Sequence, residues 1–222
     1  MATITVERDV DQPAVLAPPG EPGGPRFIVV PPPPPARHPG YGVGVWGMAC
    51  VIATESFIFL ALFATYFFLR ASATSWPPHG TPLPELSPTW IFSIVLIASS
   101  LPVFWGEAAI KRGNVRSLQI ALLVSFLMGA AFLGNEGWEW AHLGFSWTQN
   151  VYASLFFVIT GLHGVHVLVG LAMNGQVQAK ASMGKLTRRH HVSMQVFSLY
   201  WHFVDGVCIF VLLTVYVSVH IR

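Results

Sequence analysis

Five titratable side chains stand inside long apolar runs of this sequence: Glu55, His163, His166, His202 and Asp205. Imidazole and carboxylate groups gathered in one place can bind a metal ion, relay protons, or hydrogen-bond to one another. In "TGLHGVHVLVG", residues 160–170, the two histidines are three apart, and in "YWHFVDG", residues 200–206, His202 and Asp205 repeat that spacing. On a helix a separation of three keeps both side chains on one face. A His-x-x-His pair is a weak metal signal, because groups at one depth bond to each other as readily as to an ion. Haem ligation by paired histidines needs a second set at matched depth, and none is visible. The preferred reading is a buried hydrogen-bonded cluster that fixes helix register, ahead of a metal site or a proton path. No nucleophile-and-base constellation is apparent either.

Positioning such groups requires elements that run through apolar surroundings. The 222 residues are 53% hydrophobic and 10% charged, against roughly 25% charge in ordinary soluble domains. Five apolar runs, near 45–69, 89–109, 117–140, 151–173 and 192–219, each approach or exceed the ~20 residues that a helix needs to cross hydrocarbon. The expected fold is therefore all-α, an integral membrane bundle of five transmembrane helices. Residues 1–40 carry 11 of the 17 prolines, including Pro31–Pro35, which favours an extended, disordered tail that is retained. A net charge of +2 gives no argument for nucleic acid. Cys50 and Cys208 fall inside apolar runs, where each reads as a small hydrophobe.

Ten of the twelve lysines and arginines lie in the tail, in the second connection (Lys111, Arg112, Arg116) and in the fourth (Lys180, Lys185, Arg188, Arg189). That asymmetry predicts a cytoplasmic N-terminus and an outside C-terminus. Counting about 1.5 Å per residue places all five titratable groups near mid-bilayer. An ionised group there costs about 2.5–3.5 kcal/mol, so each is expected to face protein and find partners. His191, Gln195, Ser198, His202 and Asp205 follow one another at spacings of 4, 3, 4 and 3, a single stripe of the fifth span. Gly161, Gly164 and Gly170 predict close approach of another backbone to the fourth span. Glu107, Glu136 and Glu139 sit near helix ends, where interfacial solvation is expected. Pro102 predicts a kink in the second span.

"TGLHGVHVLVG" together with "YWHFVDG" resembles cytochrome c oxidase subunit III, in a short five-helix bacterial form. The "WPP" loop at Trp76–Pro78, Trp138-Glu139-Trp140, the series Asn150, Tyr152, Ser154, Phe156 and Phe157, and His190-His191 ahead of Trp201-His202-Phe203-Val204-Asp205 extend the likeness over about residues 41–220. Two departures stand out: Gln195 where the family usually has glutamate, and Cys208 where it usually has tryptophan.

The resemblance implies a non-redox accessory core subunit of a proton-pumping terminal oxidase that reduces dioxygen to water, stabilising the catalytic subunit and supporting proton uptake. Haem and copper would be carried by partner subunits I and II, with no cofactor or metal on this chain. Membrane lipids are expected partners, with Lys180, His190, His191 and Glu139 as candidate lipid contacts. The location implied is the bacterial cell membrane. A quinol oxidase or nitric oxide reductase subunit is the alternative assembly, and a free-standing transporter is a third class.

Overall fold

The computed structural model describes residues 42–82, 86–187 and 191–220, with the side chains of Leu86 and Ser87 excluded. The Pro-rich tail and Arg188, Arg189, His190 and Arg222 lie outside the described residues. Among the described residues six α-helices form: α1 Val43–Ser72, α2 Leu86–Ala98, α3 Ser100–Lys111, α4 Val115–His142, α5 Val151–Ser182 and α6 Val192–Val211. The last continues as a wider π-helical turn over Leu212–Val217. Helices α2 and α3 together make one span, so among the described residues five helical stretches are long and apolar enough to cross a membrane. The fourth runs past Met173 to Ser182. Gln176, Gln178 and Lys180 end the apolar run there, but they are good helix formers and do not end the helix.

The break between α2 and α3 falls at Ser99, whose N–H reaches both Val95 O (3.1 Å) and Leu96 O (2.9 Å). Pro102 supplies the reason: without an N–H it cannot bond the carbonyl of Ala98, one turn earlier. Asparagines start the next two spans. Asn114 accepts from Ser117 N at 3.0 Å and Asn150 from Ala153 N at 2.9 Å, each satisfying a first-turn N–H. Gly113, at φ +81°, makes the tight corner between α3 and α4.

Helix α6 is central, with α1, α2, α3 and α5 all packed against it. Trp201, fully buried, fixes its closest approaches. A Cβ on Gly170 of α5 would stand 2.7 Å from the Trp201 ring, and one on Gly129 of α4 would stand 2.8 Å from it. The small residues of α5 thus admit side chains of neighbouring helices, where the sequence suggests an approaching backbone. Helix α1 is the peripheral member: 6% of its most apolar stretch is buried, compared with 56% in the final span.

Candidate functional site

The five mid-bilayer groups do not form one cluster. The structure distributes them among three sites, each built by a different pair of helix faces.

The first site joins α3 to α6. Ser198, His202 and Asp205 form one stripe of α6, and Ser100 and Glu107 face them from α3. Lys111 Nζ donates to Glu107 Oε1 at 2.7 Å, and Ser198 Oγ donates to Glu107 Oε2 at 3.0 Å. Ser198 Oγ also lies 3.3 Å from His202 Nε2. The opposite ring nitrogen, Nδ1, is 2.8 Å from Ser100 Oγ, which donates in turn to Asp205 Oδ2. Phe104 stacks on the imidazole at 4.1 Å. Glu107 is therefore engaged by protein groups as well as lying near a helix end. Its place could have been read from the sequence: Ser100 and Glu107 are seven apart, two helical turns, which puts them on one face of the second span.

The second site pairs α1 with α5. His166 Nδ1 donates to the Leu162 carbonyl at 2.7 Å, which fixes the tautomer, and Nε2 meets Glu55 Oε2 at 3.2 Å. Phe59 packs edge-on against the ring at 5.1 Å.

The third site is a chamber of about 20 Å³ enclosed by α2, α4, α5 and α6, with Glu136 and His163 on its wall. The His163 ring packs at right angles to that of Phe132, with centroids 5.4 Å apart. Glu136 Oε2 and His163 Nε2 are buried without a hydrogen-bond partner among the described residues. A Cβ on Gly164 would come within 2.7 Å of Glu136 Oε2, so the absent side chain makes room for the carboxyl group.

Two expectations from the sequence are corrected here. Glu136 and Glu139 are buried, not solvated at the interface. Glu139 Oε2 accepts from Thr89 at 3.1 Å and from Tyr216 at 3.2 Å, and these two hydroxyls hold it inside the bundle. Sequence position near a helix end did not reveal the inward-facing Thr89 and Tyr216. Lys180 remains at the surface and donates to Ser193 Oγ at 2.8 Å. His191 occupies the N-cap position of α6 without a side-chain capping bond, and its Nε2 lies 3.4 Å from the Gln195 amide. Among the described residues, no group of three or more His, Cys, Asp or Glu side chains is placed to hold a metal ion.

The family profile for cytochrome c oxidase subunit III matches residues 41–219, the whole of the bundle. The chain belongs to this family. It is 35% identical over 182 residues to cytochrome c oxidase subunit 3 of Thermostichus vulcanus, covering 82% of this chain and 89% of that protein. It is 38% identical over 187 residues to the Synechocystis sp. protein of the same name, covering 84% and 80%. The Gallus gallus protein is 32% identical over 177 residues, with 77% and 68% covered. As a subunit III family member, the chain is an accessory subunit of a terminal oxidase, an oxidoreductase complex.

Proposed function

We propose that this subunit packs against the catalytic subunit I of its oxidase, with subunit II in the same assembly, and that the haem and copper which reduce dioxygen to water reside in those partners. Its own part is to stabilise the catalytic subunit during turnover and to support proton uptake. The match across residues 41–219, which takes in both histidine motifs, carries this reading. The geometry fits a non-redox role, because the polar groups at mid-bilayer are matched mainly to one another and to backbone.

The cell membrane of a bacterium is the proposed location, with the N-terminus cytoplasmic. The basic residues support this direction: Lys111, Arg112, Arg116, Lys180 and Lys185 all fall at the bundle end where α1 and α6 begin. Lys180 at that end is the proposed contact for anionic phospholipid headgroups, since its ammonium gives one hydrogen to Ser193 and has two more to offer.

An affinity-tagged copy of the full chain, purified in mild detergent, tests the assembly. Co-purification of a haem-bearing partner with dioxygen-consuming activity is expected. Recovery of the chain alone, with proton or solute flux when it is reconstituted in liposomes, would replace this reading with that of a transporter.

A further inference from the structure

The α3–α6 seam contains an unbroken series of hydrogen bonds running from the surface end of the second span to mid-bilayer. Lys111 is exposed. Asp205 lies 13 residues into the final span, which starts at Val192, about 20 Å along the helix axis. Between them stand Glu107, Ser198, His202 and Ser100, joined by the bonds described above.

Counting hydrogens shows what the series holds. A serine hydroxyl has one hydrogen to give. That of Ser198 goes to Glu107 Oε2, so the contact between Ser198 Oγ and His202 must be donated by Nε2–H. With that of Ser100 on Asp205 Oδ2, the contact on the other side of the ring is donated by Nδ1–H; with a protonated Asp205 donating to Ser100, the same contact is accepted by a bare Nδ1. The second placement makes His202 a neutral imidazole beside an Asp205 carboxylic acid, and the first makes it an imidazolium with a carboxylate beyond a serine on either side. Together with Lys111, the two cations and two anions sum to zero, which lowers the cost of placing them in the membrane.

We propose that Glu107, His202 and Asp205 share one mobile proton, handed between them by the hydroxyls of Ser100 and Ser198, so that the α3–α6 seam conducts protons between the Lys111 end of the bundle and mid-bilayer. In the inward step the His202 Nδ1–H bond breaks as an O–H bond forms on Ser100. The former Ser100 hydrogen passes to Asp205 Oδ2, leaving a neutral imidazole and a carboxylic acid. In the outward step the Nε2 hydrogen passes to Ser198 and the Ser198 hydrogen to Glu107. Neither step is a redox step, and each needs only hydrogens to shift. A recess of about 210 Å³, with Glu107, Gln195, Ser198 and His202 on its polar wall, lies beside the Glu107 half and gives water a place to load it.

The groups around this proton are consistent with relay. From α3 the ring of His202 meets Ser100 and the face of Phe104, and Glu107 meets Lys111. Asp205 Oδ1 is buried without a described partner, which leaves the inner terminus one free acceptor. The inference deepens the proposed support of proton uptake and rests on it for its purpose, but its chemistry belongs to this chain alone.

The test uses the full chain in lipid nanodiscs with ¹⁵N-histidine, and follows hydrogen–deuterium exchange at the Asp205 carboxyl by infrared spectroscopy after a solvent switch. The Asp205 band is assigned by its loss in Asp205→Asn. Ser198→Ala is expected to slow exchange about tenfold or more, the cost of crossing without a relay hydrogen bond, and Ser198→Thr to restore it. The ¹⁵N spectrum should show His202 with both nitrogens protonated in at least one pH range. A series that only fixes register predicts the opposite, since a loosened Ser198→Ala seam would exchange faster. Unchanged or faster exchange in the folded variant, or a singly protonated His202 at every pH, overturns the proposal. If Ser100→Ala does not fold, Ser198→Ala and the wild-type spectrum still decide. Slowed exchange in the chain with unaltered proton uptake by the intact oxidase would uphold the relay and reject only its proposed purpose.

Discussion

The α3–α6 seam and the Glu136–His163 chamber lie within one bundle and use the same residue types, yet they are built on opposite plans. In the seam, α3 presents Ser100 to His202 and Asp205 and Glu107 to Ser198, and the bonds run one after another to an exposed lysine. In the chamber, α5 presents Gly164 and α4 presents Phe132, so Glu136 takes up the space a glycine leaves and His163 packs with an aromatic ring and bonds the Val204 backbone, each with an unpartnered atom. Depth and residue type are therefore a poor guide to what a buried polar group does. The neighbouring helix decides whether it is connected or enclosed.

The wall between the two regions is α6, and removing its anchor should have the largest effect. Trp201 is fully buried against Gly129 and Gly170, and its Nε1 donates to Ser99 Oγ at 2.8 Å, at the break between α2 and α3. Trp201→Ala is expected to cost about 3–5 kcal/mol, as deletion of a packed aromatic does. Thermal unfolding of the purified complex should show it as a large fall in midpoint, with Trp201→Phe intermediate. A midpoint unchanged in Trp201→Ala would mean that the two regions are not held apart by this packing.

Within the seam, Asp205→Ala leaves the Ser100 hydroxyl without its acceptor, a loss of about 1–3 kcal/mol for a buried group left unsatisfied. Less assembled oxidase should be recovered, while the haem spectrum of the complex that remains is unchanged. A shifted spectrum at normal yield would place Asp205 near a redox centre and break the assignment. The matching lesion in the chamber is Gly164→Ala, whose methyl group would meet the Glu136 carboxyl; overpacking of this kind costs about 1–3 kcal/mol. Gly206→Ala on α6 is the control, since nothing lies within 4 Å of that position, and it should be neutral or slightly stabilising.

Membrane spans and the polar stripe of α6 were legible because each follows from a single local pattern, an apolar run or a helical spacing. "YWHFVDG" marks His202 and Asp205 as a polar pair on one helix face, but their partner Ser100, and Glu107 that accepts from Ser198, lie about a hundred positions away, and one sequence does not say which helix faces which. Pro102 announced the break at Ser99 through its missing N–H. Glu139 was misread because its position near a helix end carries no sign of the Thr89 and Tyr216 hydroxyls that turn it inward. Glu55 and His166 were read as members of a larger group because depth can be counted along a chain, whereas rotation about the helix axis relative to neighbours cannot. What sequence left open was thus azimuth, and azimuth is what separates three sites at one level.

The smallest expected stability effects give the sharpest contrast. Glu136→Gln and Glu107→Gln make the same chemical change, a carboxylate replaced by an amide of equal size. In the chamber the amide occupies the space that Gly164 leaves, and stability should change by no more than about 1 kcal/mol. In the seam the amide can still accept from Ser198, and losing the half-exposed pair with Lys111 should cost only about 0.2–1 kcal/mol. Unfolding midpoints would scarcely distinguish the two variants. Proton exchange at Asp205 should, because an amide cannot take up and release the shared proton at the outer end of the series. Glu107→Gln is expected to slow exchange, while Glu136→Gln, set in an enclosed cavity off that series, leaves it unaltered. Equal slowing in both variants would mean that the two regions are one connected network, and the division drawn by α6 would fail.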